Sequence, residues 1–244
     1  MNQHKDLGYF ISGHFIGGVL YFPYSTGEED IMNIKAIFFD LDGTLTDSGE
    51  GIINCASLAL EHFGLPVPSR EEMRVFVGPP LDQTFIDFGV PKDKTDEAIR
   101  VFRSRYVPIG IFENYPYPGI RELLEGLKNK GIRLFVATSK PEEMALKVLN
   151  RFELASYFEK ICGATLDGSR MEKSDVITYL LTQVENVENV VMVGDTKFDV
   201  LGAAAHSIPT IGVTWGYGKE EDMVSAGAIA IAHSPEELFT LLTQ

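Results

Sequence analysis

Only two cysteines, Cys55 and Cys162, occur in 244 residues. That number supports no disulfide framework, and a zinc site needs more ligands than they offer. A reducing compartment suits such a chain, and a cytoplasmic location is expected. Positive charge is scarce too. The chain has 21 Lys and Arg against 35 Asp and Glu, a formal net charge of −14. Nucleic-acid binding rests on clustered Lys and Arg, so nucleic acid is not expected as a partner. A small phosphorylated ligand stays open, since local charge in a cleft can outweigh the global sign. Long apolar runs are missing as well. Phe10 to Phe22 is glycine-rich and too short to span a bilayer, so no membrane role is expected. There is no Gly-x-Ser-x-Gly elbow or Walker loop, and neither cysteine has an arginine six positions on. These absences weigh against serine hydrolases, P-loop enzymes and cysteine-dependent phosphatases.

What remains is a chain 45% hydrophobic and 23% charged, able to bury a sizeable core. Its first 31 residues do not match the rest. They carry no clear signal-peptide cleavage site, and Met32 directly precedes the first apolar strand pattern. The expectation is that Met32 is the native start and residues 1–31 an extension, loose or not native.

From Ile34 onward, short continuous apolar runs alternate with helical stretches. Ala36–Phe39, Leu134–Ala137, Val190–Val193 and Ile208–Val213 read as buried parallel strands, with Lys160–Ala164 a weaker one. Ile120, Leu123, Leu124 and Leu127 share a helical face, as do Val176, Ile177, Leu180, Leu181 and Val184. Pro141 suits the first turn of a further helix. The alternation predicts an α/β fold, an open and mostly parallel sheet with helices on both faces. A stretch of helical pattern far longer than a usual βα loop separates the first two strands. It predicts a small helical domain over residues 49–115, inserted into a core of 32–48 and 116–244.

The chemistry gathers where the strands end. Asp40-Leu41-Asp42-Gly43-Thr44 follows the first strand, Thr138-Ser139-Lys140-Pro141 the second, and Gly194-Asp195-Thr196-Lys197-Phe198-Asp199 the Val190 strand. Ligands of open parallel sheets bind beyond the carboxyl ends of the strands. Clustered carboxylates repel one another unless a cation intervenes, and such oxygen-rich sites suit Mg²⁺ shared with a substrate phosphate.

These residues carry a resemblance. The stretch from about Ile34 to the C-terminus is similar to the haloacid dehalogenase superfamily, in its phosphoglycolate-phosphatase-like branch with a helical cap after the first strand. Asp40-Leu41-Asp42-Gly43-Thr44-Leu45-Thr46 resembles that family's first motif, Thr138 the second, Lys173 the third and Gly194 to Asp199 the fourth. Val77-Gly78-Pro79-Pro80-Leu81 resembles a further segment of the branch. The resemblance implies Asp40 as nucleophile and metal ligand, and Asp42 as acid, then base, with its backbone carbonyl on Mg²⁺. It implies Gly43, Thr138 and neighbouring Ser139 as phosphate-binding, Lys173 as a charge neutraliser and Asp195 as a metal ligand. Asp199 is expected to support Lys173 or metal-bound waters. Ser139 and Lys140 read as loop residues rather than catalysts, and Arg100, Arg103 and Arg105 as arginines that either reach substrate or face water. The expected activity is Mg²⁺-dependent hydrolysis of a small phosphorylated metabolite, with phosphoglycolate or a nucleoside monophosphate as candidates. The alternatives are phosphoryl transfer of the β-phosphoglucomutase type and a catalytically silent phospho-ligand-binding protein. Monomer and homodimer stay undecided.

Overall fold

The computed structural model describes residues 14–16, 19–21 and 33–244. Strands β1 (His14–Ile16) and β2 (Val19–Tyr21) pair antiparallel and belong to a different compact unit from Ile34–Thr243. The expectation for residues 1–31 otherwise lies outside the described residues. Among those described, no helix is long and apolar enough to cross a membrane.

Along Ile34–Thr243 the chain runs through β3 (Ala36–Phe39), β4 (Thr46–Asp47), α1 (Gly49–His62), α2 (Leu81–Asp87), α3 (Thr95–Tyr106), β5 (Tyr115–Pro116) and α4 (Ile120–Asn129). It continues through β6 (Arg133–Pro141), α5 (Glu142–Arg151), β7 (Lys160–Ala164), α6 (Lys173–Gln183), β8 (Val190–Gly194) and α7 (Lys197–Ala204). Then come β9 (Thr210–Val213), α8 (Glu220–Ala226), β10 (Ala230–Ala232) and α9 (Pro235–Thr243). Six strands form one sheet in the order β10-β9-β8-β3-β6-β7, every neighbouring pair parallel.

Continuous apolar strands make sense once both sheet faces are covered. On one face Phe38, Phe135, Ala137, Cys162 and Met192 pack with Val176, Ile177 and Leu180 of α6 and Ala203 of α7. Phe38 meets Phe135 edge-on at 5.5 Å. The alternate residues Ile37, Phe39, Leu134 and Val136 are equally buried, and α4 and α5 pack on β6.

Some expectations shift by a turn or a residue. Ile208 is outside β9, because its N–H bonds Ala203 O and closes the end of α7 after Ser207 turns left-handed. Pro141 caps α5 instead of opening it. Leu181 is 37% exposed, so the apolar face of α6 is narrower than its pattern.

Between residues 49 and 114 the regular elements are all helical. Phe76, Phe85, Phe102 and Tyr106 form an aromatic cluster there, linked by Phe76–Phe85 at 5.1 Å, Phe85–Phe102 at 6.4 Å and Phe102–Tyr106 at 5.1 Å. The two chain crossings into and out of this segment pair as an antiparallel ribbon, Thr46 with Pro116 and Asp47 with Tyr115. We propose the division at residues 49 and 115 as the domain boundary.

Candidate active site

β3 and β8 lie side by side, and their carboxyl ends bring Asp40 and Asp195 together. Asp40 N–H is still in the ladder, bonded to Val193 O at 2.9 Å. The chain then turns at Gly43, whose φ of +89° favours glycine. Space demands glycine there as well, since a Cβ would stand 2.2 Å from Asp195 Oδ2. Asp195 accepts from Thr44 Oγ1 at 3.2 Å and from Tyr217 N–H at 2.8 Å.

Asp199 is the third residue of α7, within a capping box. Its Oδ2 accepts from Thr196 N–H at 3.0 Å and Thr196 Oγ1 at 2.8 Å. Its Oδ1 lies 2.8 Å from Lys173 Nζ, which lies 2.8 Å from Asp40 Oδ1 as well. Neither carboxylate oxygen receives an aligned hydrogen bond, and Lys173 donates to Ala137 O at 3.0 Å. Lys173 starts α6 and is only 5% exposed, with Gly202 of α7 leaving room for its stem. Burial works against its charge, yet Asp199 and Asp40 outweigh that and raise its pKa.

Ligand oxygens of Asp40, Asp195 and Asp199 lie within 4.8 Å of one another, all three residues buried. Burial, then Asp199 and Asp40, push the Asp195 carboxyl upward from its ordinary range. With Asp42 and Lys140 included, four carboxylates face two ammonium groups, an excess of two negative charges. A hard divalent cation with oxygen ligands fits both this donor set and this charge.

Asp42 goes elsewhere than the trio. Both its oxygens accept from Lys140 Nζ, at 2.9 and 2.8 Å, and the same ammonium donates to the hydroxyl of Tyr106. The reading of Lys140 as a plain loop residue is corrected here, for its side chain is 3% exposed. The register between β6 and β7 shifts from Thr138 to Pro141, and such a bulge re-aims side chains. Gly163 opposite permits it, since a Cβ there would stand 2.4 Å from Lys140 O. Thr138 is buried, its Oγ1 accepting from Lys140 N–H at 3.2 Å, and Ser139 is half-buried beside it.

Sequence reasoning missed further groups. Arg74 donates to Gly216 O at 3.0 Å and lies 4.8 Å over the Tyr217 ring. The Tyr217 hydroxyl bonds Asp47 and accepts from Gly49 N–H at 2.8 Å. Only tertiary packing brings these together, and no local spacing announces them. Gly78, of the Gly-Pro-Pro segment, lies against Thr196, where a Cβ would come 3.4 Å from Thr196 Cγ2. Arg105 is held by Glu113 through two bonds of 2.7 Å. Arg100 and Arg103 line an open cleft of about 320 Å³ with Ile99, Leu166 and Asp167. His62 pairs with Glu97, and His206 meets Ser174 O.

A family model for haloacid dehalogenase-like hydrolases matches residues 37–213, and the chain belongs to that family. Within it, the relatives and the fold place the chain among the phosphatases. It is 42% identical to the tyrosine-protein kinase PtkA of Mycobacterium tuberculosis, over 82% of this chain and 69% of that one. It is 39% identical to a 5'-nucleotidase of Pseudomonas aeruginosa (77% and 86% covered) and 30% identical to a phosphoglycolate phosphatase of Caulobacter vibrioides (87% and 94%). The crystal structure of a predicted phosphatase from Clostridium acetobutylicum superposes with a TM-score of 0.80 at 40% identity, covering 84% of this chain and 96% of that one.

Proposed function

We propose that the protein is a Mg²⁺-dependent phosphomonoesterase acting on a small phosphorylated metabolite through a phosphoaspartyl intermediate at Asp40. The observation that carries this reading is the buried trio Asp40, Asp195 and Asp199, with Lys173 bridging two of its members. Asp40, Asp195 and the backbone carbonyl of Asp42 would hold the cation, and Asp199 would steady Lys173 beside them. When bound, Mg²⁺ would offset the repulsion between carboxylate and phosphate dianion.

The side chains then divide the work. Asp40 attacks phosphorus, the bond to the leaving oxygen breaks, and Asp42 gives that oxygen its proton. Asp42 next takes a proton from water, which attacks the phosphoaspartyl group and frees phosphate. Thr138, Ser139 and Gly43 hold phosphate oxygens, while Lys173 balances charge on the transferring group. The helical segment 49–114 covers the site and selects the leaving group.

The 5'-nucleotidase relative favours a nucleoside monophosphate over phosphoglycolate, being the more similar of the two. A second reading, transfer of the phosphoryl group to an acceptor other than water, draws on the kinase-named relatives. The test is release of orthophosphate from an aryl phosphate and a metabolite panel with Mg²⁺, with EDTA and Asp40→Asn as controls. Turnover that survives Asp40→Asn, or none on any substrate, overturns the hydrolytic reading. Phosphate appearing on an added hydroxyl acceptor in place of orthophosphate selects the second.

A further inference from the structure

We propose that Lys140 and Tyr106 are positioning residues that set Asp42 for its work only while helix α3 rests against the carboxyl end of β6. This rests on the phosphatase reading above.

The proton count at Lys140 comes first. An ammonium has three N–H donors. Two are spent on Asp42 Oδ1 and Oδ2, at 2.9 and 2.8 Å, and the third on the Tyr106 hydroxyl. None is left for a substrate phosphate, so Lys140 acts through Asp42. A buried ammonium is tolerable only with its partners in place, and losing one leaves a donor uncompensated.

The second point is where the partners stand. Lys140 and Asp42 sit at the ends of adjacent strands β6 and β3. Tyr106 is the last residue of α3, in the helical segment, and its ring stacks on Phe102 with 22° between planes. Phe102 in turn meets Phe85, so the hydroxyl is placed by the aromatic cluster of that segment. One ammonium therefore joins the acid of the α/β layer to the helical layer above it. A shift of α3 by an ångström or two breaks the third bond and frees the lysine stem to carry Asp42 away.

The experiment uses the full chain with Mg²⁺ and an aryl phosphate, comparing wild type with Tyr106→Phe, Lys140→Met, Lys140→Arg and Asp42→Asn. An aryl leaving group needs little protonation, so a misplaced Asp42 should slow hydrolysis of the phosphoaspartyl group more than its formation. Tyr106→Phe keeps the ring and should lower kcat about tenfold with KM changed less than about threefold, a fraction of the usual acid-base contribution. Acid-quenched enzyme should carry several times more phosphate than wild type. Lys140→Met should go further toward Asp42→Asn, and Lys140→Arg should recover part of the loss. A fold defect alone would lower kcat without raising the labelled fraction. Unchanged kcat in both variants, or a rise in KM alone, overturns the proposal.

A second measurement does not depend on turnover. Acetylation footprinting of the intact protein should find Lys140 protected in wild type and modified several times faster in Tyr106→Phe. Equal rates overturn the positioning claim. A wild type that neither turns over nor labels overturns the phosphatase reading instead, and the footprint then decides the positioning claim by itself.

Discussion

Removing the charge of Asp195 should stabilise the metal-free protein while destroying its function. Oxygens of Asp195 lie within 4.8 Å of those of Asp40 and Asp199. At an effective dielectric near 20, each such pair costs about 3.5 kcal/mol. Lys173 relieves Asp40 and Asp199 at 2.8 Å but makes no ion pair with Asp195. Asp195→Asn keeps the shape and removes both repulsions. Against this stands the loss of one charged acceptor, for Thr44 Oγ1 at 3.2 Å or Tyr217 N–H at 2.8 Å must then face an amide NH₂. That loss costs about 1–3 kcal/mol. Two repulsions, partly screened by Lys173, exceed one weakened hydrogen bond, and the net gain should be about 2 kcal/mol. For a compact unit of this size, that raises Tm by roughly 4–8 °C.

The assay is thermal unfolding in EDTA, then with increasing Mg²⁺. Wild type should gain Tm as Mg²⁺ rises, because a ligand bound only by the native state stabilises it by mass action. The variant should start higher and gain little. An Asp195→Asn protein that melts well below wild type in EDTA, or that gains as much Tm from Mg²⁺, refutes the argument. In the first case the hydrogen bonds of Asp195 outweigh its repulsions, and in the second the cation is held elsewhere.

Three further outcomes are expected. Gly43→Ala should cut kcat/KM by about a hundredfold, since its Cβ would displace Asp195 from 2.2 Å away and misplacement of about 1 Å carries that scale. The left-handed φ of +89° adds about 1–2 kcal/mol of strain, readable as a lower urea midpoint. Arg105→Ala breaks two 2.7 Å bonds to Glu113 and should lower stability by about 1–2 kcal/mol, measured by urea unfolding; a variant as stable as wild type would show the pair to be mere surface charge. Burial pushes the Cys162 thiol up to about 11, so a disulfide reagent at pH 8 should modify it far more slowly in native than in urea-unfolded protein, and equal rates would contradict its burial.

The parts of this molecule legible in its sequence are those set by local pattern. Ala36–Phe39 and Val191–Gly194 are buried on both sheet faces, so their apolar runs are continuous and mark them plainly. The positions of Asp40, Asp42 and Asp195 follow, because each stands within a few residues of such a strand end. Asp199 is placed by the Thr196-x-x-Asp199 spacing of its capping box. Lys140 is illegible for the opposite reason. It lies in the bulge of β6, where alternation fails, and its burial depends on a tyrosine 34 residues upstream. Tyr217 and Arg74 are hidden likewise, since each is defined by partners from a distant stretch of chain. β10 escaped the pattern because two of its three residues are only half-buried, as befits an edge strand.

The two buried lysines divide the site in a way that bears on its timing. Lys173 binds Asp40, Asp199 and Ala137 O, all in the α/β layer, so the proposed nucleophile is set whatever the helical segment does. Lys140 binds Asp42 and Tyr106, one in each layer, so the proposed acid and base answers to the segment's position. An open molecule would thus keep its attacking group ordered while lacking the group that brings water onto the phosphoaspartyl bond. If substrate binding closes the segment and product release opens it, hydrolysis is confined to the closed interval. Arg74 on Gly216 O and the Tyr217 ring supplies a second tie between the layers, next to the backbone N–H that Asp195 accepts. Arg74→Ala should therefore weaken closure without touching Lys140, and its labelled fraction should rise in the same direction as that of Tyr106→Phe. A labelled fraction unchanged from wild type would mean that Tyr106 alone reports the segment to the site.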